Sequence, residues 1–506
     1  MKKSFFKYIV GGCLTLCMVY SCNDQEISEP DDPALGAVQG VSDLKVERNG
    51  QEGEVILSWK NPDDPYLANI ELSYFERSAK DERTVLLLDA GSGEQMTYTL
   101  DMETPEIYNF GLTALNMAGM RSEEMIAGLH TAGENIWISR ADTLMQAIVS
   151  LYLDGKPRDI WSSQYPQGGG YWDGAAVIWG HGAAFSGYTA FKHATWNVPE
   201  LKAEVEENYD ERLLTAIDKF RNRRNGGPEA YAVYPGEGDE RYYDDNIWIG
   251  IDMVSLYILT NDARYLERAE IVWNFVQAGT DDIMGGGVYW KEGQKSKHTC
   301  STAPAAVLAA KLYEATGEEH YLTSAKAYYS WVKELLQDPA DYLYWDNARL
   351  SDENDPDSGI EISTAKYSYN SGQPMQAAVL LYKITNEPHY LTDAQHIAEA
   401  AHQRWFTPFQ SHILDESFNI LEPGHVWFQG IMLRGYAELY LVDHDDTYIE
   451  DYRKTLQHAW LSDARNPDTN LINENFKGTT TQDSWEILHQ GAIVEMLSQL
   501  ALLDAD

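Results

Sequence analysis

The chain has 506 residues, enough for one large domain plus an accessory module. Its 38 Lys and Arg against 79 Asp and Glu leave a net charge of −41, a field that repels phosphate backbones and argues against nucleic acid as a partner. The 44% apolar share is that of a globular chain, and 15 Trp with 32 Tyr form an aromatic surplus that suits either a helical core or a surface for sugar rings.

Residues 1–21 read as a secretory signal peptide, with Lys2, Lys3 and Lys7 ahead of an apolar run from Tyr8 to Tyr20 and small Ser21 before Cys22. The run is shorter than the roughly 20 residues of a membrane-spanning helix. Val19-Tyr20-Ser21-Cys22 resembles a bacterial lipoprotein processing box. The resemblance implies that Cys22 is lipidated and that the protein is exported and membrane-anchored, at the outer membrane or cell surface or facing the periplasm. Cys13 and Cys17 would leave with the signal, so Cys300 is the one free thiol expected, with no disulfide framework and no cysteine zinc site. Residues 22–40 are acidic and aperiodic, as in a flexible tether.

From 41 to 130 the hydropathy alternates, as in Val55-Ile56-Leu57-Ser58-Trp59 and Ile70-Glu71-Leu72-Ser73-Tyr74, which predicts a small all-β sandwich. Trp59 followed by Asn61-Pro62, and Tyr108 through Gly119, resemble the second strand and the late strand and turn of a fibronectin type III domain. A spacer or docking role is expected for it.

Beyond Asn135 the period becomes helical and a repeat emerges. Leu256-Tyr257, Leu312-Tyr313, Leu381-Tyr382 and Leu439-Tyr440 each close an apolar run, and Tyr265, Tyr321, Tyr390 and Tyr448 follow eight residues after each pair's Tyr. Periodic segments near 138–152, 175–191, 209–223, 246–260, 263–278, 302–316, 319–337, 373–386, 388–404, 428–442, 445–462 and 484–503 predict twelve helices in six hairpins. Six units suggest a closed (α/α)6 toroid over 135–506, with an open superhelix as the rival. Loops joining one hairpin to the next would emerge on one face and build the site.

Those loops carry glycines and rings: Gly168-Gly169-Gly170-Tyr171-Trp172-Asp173, Gly285-Gly286-Gly287-Val288-Tyr289-Trp290 and Tyr342-Leu343-Tyr344-Trp345-Asp346. Flat apolar rings beside carboxylates and amides match what pyranose recognition requires. The sharpest feature is Tyr243-Asp244-Asp245-Asn246, two adjacent carboxylates directly before an apolar helix. Helix capping explains one aspartate; a second, with rings to desolvate it, is an environment that drives two pKa values apart. His298, His320, His389 and His425 lack ligand spacing and read as loop or surface residues, so no metal and no cofactor is expected. Asp63-Asp64, Asp281-Asp282, Asp445-Asp446 and Asp352 to Asp357 read as solvated turns.

Tyr243-Asp244-Asp245-Asn246 opening a helix of a six-hairpin toroid resembles glycoside hydrolase family 76, the endo-α-1,6-mannanases. Gly286 to Trp290 with Lys297, Tyr369-Asn370-Ser371-Gly372-Gln373, and Phe428-Gln429-Gly430-Ile431-Met432-Leu433-Arg434 occur in the family's order. The resemblance implies a retaining double displacement with Asp244 as nucleophile and Asp245 as general acid/base, α-mannan as substrate and a monomer. It makes Trp172, Asp173, Tyr243, Trp290, Tyr369, Asn370 and Arg434 candidates to line sugar subsites. Arg434 lies mid-helix, where satisfying a buried carboxylate is the alternative. A noncatalytic glycan-binding lipoprotein is the competing function, and an epimerase or uronide hydrolase on the same toroid a further one.

Overall fold

The computed structural model describes residues 38–48, 54–76, 83–102, 108–128, 135–166, 174–224, 226–236 and 240–504. The signal, Cys22 and most of the tether lie outside them. The chain divides into two compact units, Met1–Leu129 and His130–Asp506.

The first unit is a seven-strand antiparallel sandwich. Strands β1 (Ser42–Arg48), β2 (Glu54–Lys60) and β5 (Gln95–Asp101) form one sheet in the order β1-β2-β5. Strands β3 (Leu67–Glu76), β4 (Thr84–Asp89), β6 (Tyr108–Asn116) and β7 (Met125–Gly128) form the other, in the order β4-β3-β6-β7. Alternation puts Val55, Leu57 and Trp59 from one sheet against Ile70, Leu72, Phe110 and Leu112 from the other. Buried Trp59 donates its indole N–H to Asn61 Oδ1 at 2.8 Å, and Asn61 in turn donates to the Gly91 carbonyl at 2.9 Å. The Trp-x-Asn spacing is therefore a strand-end lock. At the late turn, Asn116 Oδ1 accepts from the Ala118 and Met120 N–H groups, and Gly119 supplies the positive φ the turn requires.

The second unit is helical. Its rods are α1 (Ile136–Ile148), running on as a π-helical turn to Leu153, then α2 (Ile178–Ala194), and α3 (Pro199–Val205) continued through another π-turn into α4 (Glu211–Asp218). After them come α5 (Tyr243–Thr260), α6 (Ala263–Ala278), α7 (Thr299–Thr316), α8 (Glu319–Leu336), α9 (Ser368–Thr385), α10 (Pro388–Trp405), α11 (Val426–Asp443), α12 (Thr447–Leu461) and α13 (Ile487–Leu503). Helices α2, α5, α7, α9, α11 and α13 each touch the next in that order, and α13 returns to α2. The ring is closed, so the toroid holds and the open superhelix does not. At the seam, a Cβ on Gly187 would come within 2.6 Å of the Gly491 carbonyl oxygen, so only glycine lets first and last inner helices meet. The inner helices are buried on nearly every side, whereas the outer ones bury a stripe.

The Leu-Tyr repeat has a physical cause. Four residues beyond each repeat tyrosine, Asn261, Gly317, Asn386 and His444 adopt the left-handed conformation, and their N–H groups bond back to the Tyr257, Tyr313, Tyr382 and Tyr440 carbonyls. This cap ends each inner helix and turns the chain into its outer partner. Among the described residues three β-hairpins, which periodicity did not foresee, interrupt the opposite connections, the first pairing Arg221–Arg223 with Glu229–Tyr231. Trp345–Leu350 pairs with Ile360–Lys366, and Phe406–Ser411 with Glu416–Leu421.

Arg434 sits midway along α11, only 6% exposed, between Glu495 of α13 (2.5 Å) and Asp252 of α5 (3.6 Å). Ser186 of α2 completes the cluster by donating to Asp252 at 2.5 Å. Its guanidinium is spent on buried carboxylates, which corrects the expectation that it lines a sugar subsite. Burial lifts Asp252 to about 7 despite the arginine. Replacing Arg434 by Met strands both acids and is expected to cost about 3–5 kcal/mol in urea unfolding. Because the folded-state pKa of Asp252 is raised, its charge costs stability as pH rises through that range. The deficit of the variant should therefore be larger at about pH 8 than at about pH 5.

Candidate active site

Because every inner helix runs the same way, their six N-termini share one mouth, and the residues that open them were the ones least visible to apolar periodicity. The first turn of α5 shows how the sequence places the acids. Tyr243 turns outward: its ring stacks on Phe275 of α6 at 4.4 Å and covers Gly279, and its N–H donates to the Trp290 carbonyl at 2.8 Å. It anchors the turn and does not line the cleft, contrary to expectation. Asn246 is fully buried and exchanges hydrogen bonds with the backbone of Tyr231 (2.7 and 2.8 Å), while also donating to the Tyr242 carbonyl. With positions one and four of the turn pinned to protein, Asp244 and Asp245 between them are left partly exposed at the mouth.

The two carboxyls are treated differently. Asp244 Oδ1 accepts the Asp245 N–H at 3.0 Å, and Oδ2 accepts the Trp290 indole N–H at 3.0 Å and the Cys300 thiol at 3.4 Å. Among the described residues nothing donates to the Asp245 carboxyl. The packing around the pair disfavours charge and lifts Asp244 to about 6, a rise that its three donors restrain. Asp245 is pushed much further up, by the same desolvation and by the Asp244 charge beside it. Over a range of pH the pair therefore holds one proton, and it resides on Asp245.

Trp290 is held by a wound loop. Buried Lys297 donates to the Asp281 carboxylate (2.7 Å) and to the Asp281, Ile283 and Gly286 carbonyls, and Gly287, at positive φ, lies against the Trp331 ring. Asp281, exposed in its turn as expected, is thus also an anchor for Lys297. The Trp290 ring stacks on His298 at 5.1 Å and meets Tyr242 edge-on at 5.0 Å. Tyr369, in the first turn of α9, is partly exposed at the mouth, bonds to Cys300 and stacks on Phe428 at 4.1 Å. Asn370 beside it is fully buried and reaches the site through Asp346, to which it donates at 3.2 Å; Asn347 donates to the other oxygen of Asp346 at 2.8 Å. Asn370 therefore acts behind a third carboxylate and does not line a subsite itself. His425 likewise belongs to the mouth, stacked between Trp179 (5.3 Å) and Phe428 (4.0 Å), whereas His320 and His389 are exposed. Trp172 and Asp173 lie outside the described residues.

Cys300, Asp346 and His298 were missed as site residues. A single Cys and a single Asp carry no spacing signal, yet Cys300 opens α7 at the place where Asp244 opens α5, and that register was readable from the repeat. Among the described residues no group of His, Cys, Asp and Glu has the arrangement to hold a metal ion.

Residues 129–506 match the model of glycosyl hydrolase family 76. The chain belongs to that family. It is similar to a family 76 glycoside hydrolase from a bovine Bacteroides thetaiotaomicron strain, at 38% identity over 92% of this chain and 100% of the other, with a TM-score of 0.70. A family 76 mannosidase of Bacteroides thetaiotaomicron VPI-5482 is 44% identical over 73% of this chain and 99% of its own, also with a TM-score of 0.70. The fold is shared with an inactive variant of the alpha-1,6-mannanase of Salegentibacter sp. HEL1_6 in complex with alpha-1,6-mannotriose (24% identity, 72% and 99% coverage, TM-score 0.57). The chain spans about half the length, 51%, of the first curated relative it matches, a protein of Schizosaccharomyces pombe. Tyr243 anchors the acid-bearing first turn of α5 through its packing on Gly279. A Cβ at Gly279 would stand 2.3 Å from Tyr243 Cε1. Gly279→Ala is expected to lower stability by about 1–3 kcal/mol in calorimetric unfolding. Activity should fall with it, since Tyr243 adjoins Asp244.

Proposed function

We propose that the protein is an exported, lipid-anchored, retaining glycoside hydrolase that cleaves internal α-1,6-mannosidic bonds of mannan. One observation carries the reading: adjacent carboxyls at a helix start, one held by three donors and tending to ionise, the other without a donor among the described residues and tending to stay protonated. In this mechanism Asp245 gives its proton to the glycosidic oxygen while an Asp244 oxygen attacks the anomeric carbon. The bond to the leaving sugar breaks and a mannosyl ester forms on Asp244. Water then attacks that ester, giving its proton to the Asp245 carboxylate and freeing Asp244. The mannosidase 44% identical to this chain supports mannose as the sugar, and the mannotriose held by the more distant neighbour supports the α-1,6 linkage. The basic and apolar N-terminus ending at Cys22 supports export and acylation. A noncatalytic capture protein would need the aromatic mouth but no asymmetric acid pair.

The test is release of oligosaccharides from linear α-1,6-mannan by residues 23–506, beside Asp244→Asn and Asp245→Asn. Mixed-length products early in the reaction, reduced roughly 10²–10⁴-fold in each variant, are expected, with the anomeric configuration retained by NMR. Asp244 must be ionised and Asp245 protonated, so kcat/KM should rise with pH through about 6 and fall where Asp245 loses its proton. Mannan binding without release of sugar by the wild type would instead establish the capture protein.

A further inference from the structure

A groove of about 420 Å³ is lined by His298 and Asn347, the neighbours of Trp290 and Asp346, together with the residues around them. One wall is the segment Gln294 to His298 and the other is the β-hairpin of Trp345–Leu350 and Ile360–Lys366. The two walls are one sheet, since Lys297 and His298 pair with Ala348 and Asn347. Two of its residues belong to the acid site as well. His298 stacks on Trp290, whose indole holds Asp244, and Asn347 holds Asp346. The groove therefore shares a wall with the site, and its volume lies within the 300–1,000 Å³ range of small-molecule sites.

Its chemistry is that of a neutral polyol. The lining is polar: Gln294 bonds to Ser296, Ser296 to His298, and Arg349 grips Glu361 through two nitrogens at 2.8 and 3.1 Å. Burial holds His298 down at about 4, so near neutral pH its ring is uncharged. Amide, hydroxyl, neutral imidazole and a paired guanidinium–carboxylate give both donors and acceptors, and the other charged residues of the lining, Lys295 and Glu353, are of opposite sign, so the net charge is small. A sugar hydroxyl also gives and accepts, whereas an anion would need an excess of cations and a lipid an apolar wall.

We infer that this groove is a further subsite that takes a mannosyl unit of the substrate one or more residues away from the scissile bond, an inference that rests on the mannan-cleaving reading above. Substrates long enough to reach it gain binding energy that shorter ones do not, and a chain running past the acids in this way is cleaved internally.

Ser363 lies cross-strand from Asn347, exposed on the groove wall, in a strand where an aromatic residue is well tolerated. Ser363→Trp fills the groove and Ser363→Ala leaves it open. The readout is kcat/KM on linear α-1,6-mannooligosaccharides of increasing length, from the disaccharide upward, with thermal unfolding as a check on folding. For the wild type and Ser363→Ala, kcat/KM should climb with length; in Ser363→Trp the ratio of long to short substrate should fall about tenfold. A length dependence in Ser363→Trp equal to that of the wild type would overturn the subsite, as would a wild type indifferent to length. If the wild type cleaves no mannooligosaccharide, the hydrolase reading fails, and calorimetry with α-1,6-mannotetraose decides the groove separately. Binding lost in Ser363→Trp but kept in Ser363→Ala upholds it, and binding kept in both overturns it.

Discussion

Closing six parallel helices into one ring brings six helix N-termini to a single mouth, each with first-turn N–H groups that have no acceptor in the helical ladder and the positive end of a dipole. In a chain of net charge −41 that mouth is a place where carboxylates are favoured by the backbone. The same ring packs side chains densely beneath it, which penalises charge. The acid pair at the start of α5 lives on the balance of these opposing effects. Asp244 recovers part of the lost solvation through the Asp245 N–H, the Trp290 indole and the Cys300 thiol, and Asp245 recovers none of it from the described residues. Adjacent residues of one type thus acquire different proton affinities from their surroundings.

The ring had to be stabilised against its own polar interior. Arg434, Asp252, Glu495 and Ser186 come from α11, α5, α13 and α2, so a single cluster ties four of the six inner helices together half-way down. Asp252 lies eight residues along α5 from Asp244, about 12 Å at 1.5 Å per residue. The chain thus stacks two acidic layers on one helix and neutralises only the lower. What distinguishes the layers is the guanidinium of Arg434, which lies between the carboxylates of the lower one.

The ring was legible in the sequence because its cause is local. Each repeat Leu-Tyr precedes a left-handed residue that ends a helix, and such caps leave a fixed spacing. Helix starts were less legible: α5, α7 and α9 begin three to five residues before the apolar runs at 246, 302 and 373, because their first turns are made of site residues. Asp244 and Asp245 stood out by adjacency. Tyr243 and Arg434 were misassigned because a motif says that a residue matters and not which way it faces; one anchors an outer helix, the other the core. Asp346 and the groove escaped because they depend on a β-hairpin whose alternation, Trp345-Asp346-Asn347-Ala348-Arg349-Leu350, is too short to register among helices.

That division has a functional logic. The acids, their donors and the anchors Tyr243, Asn246 and Lys297 stand on the ring and on loops clamped to it, where a displacement would cost packing throughout the core. The hairpins of residues 345–366 and 406–421 are added at the rim, bonded to helices of the toroid through Asp346 and Asn419, and the first of these two carries an exposed acidic turn from Asp352 to Asp357, in which side chains cap their own backbone. A change of length or sequence there alters what the mouth touches beyond the reacting bond and leaves the pair undisturbed. On the proposed reading, chemistry is therefore vested in the closed ring, and reach along the substrate in the strands added to its rim.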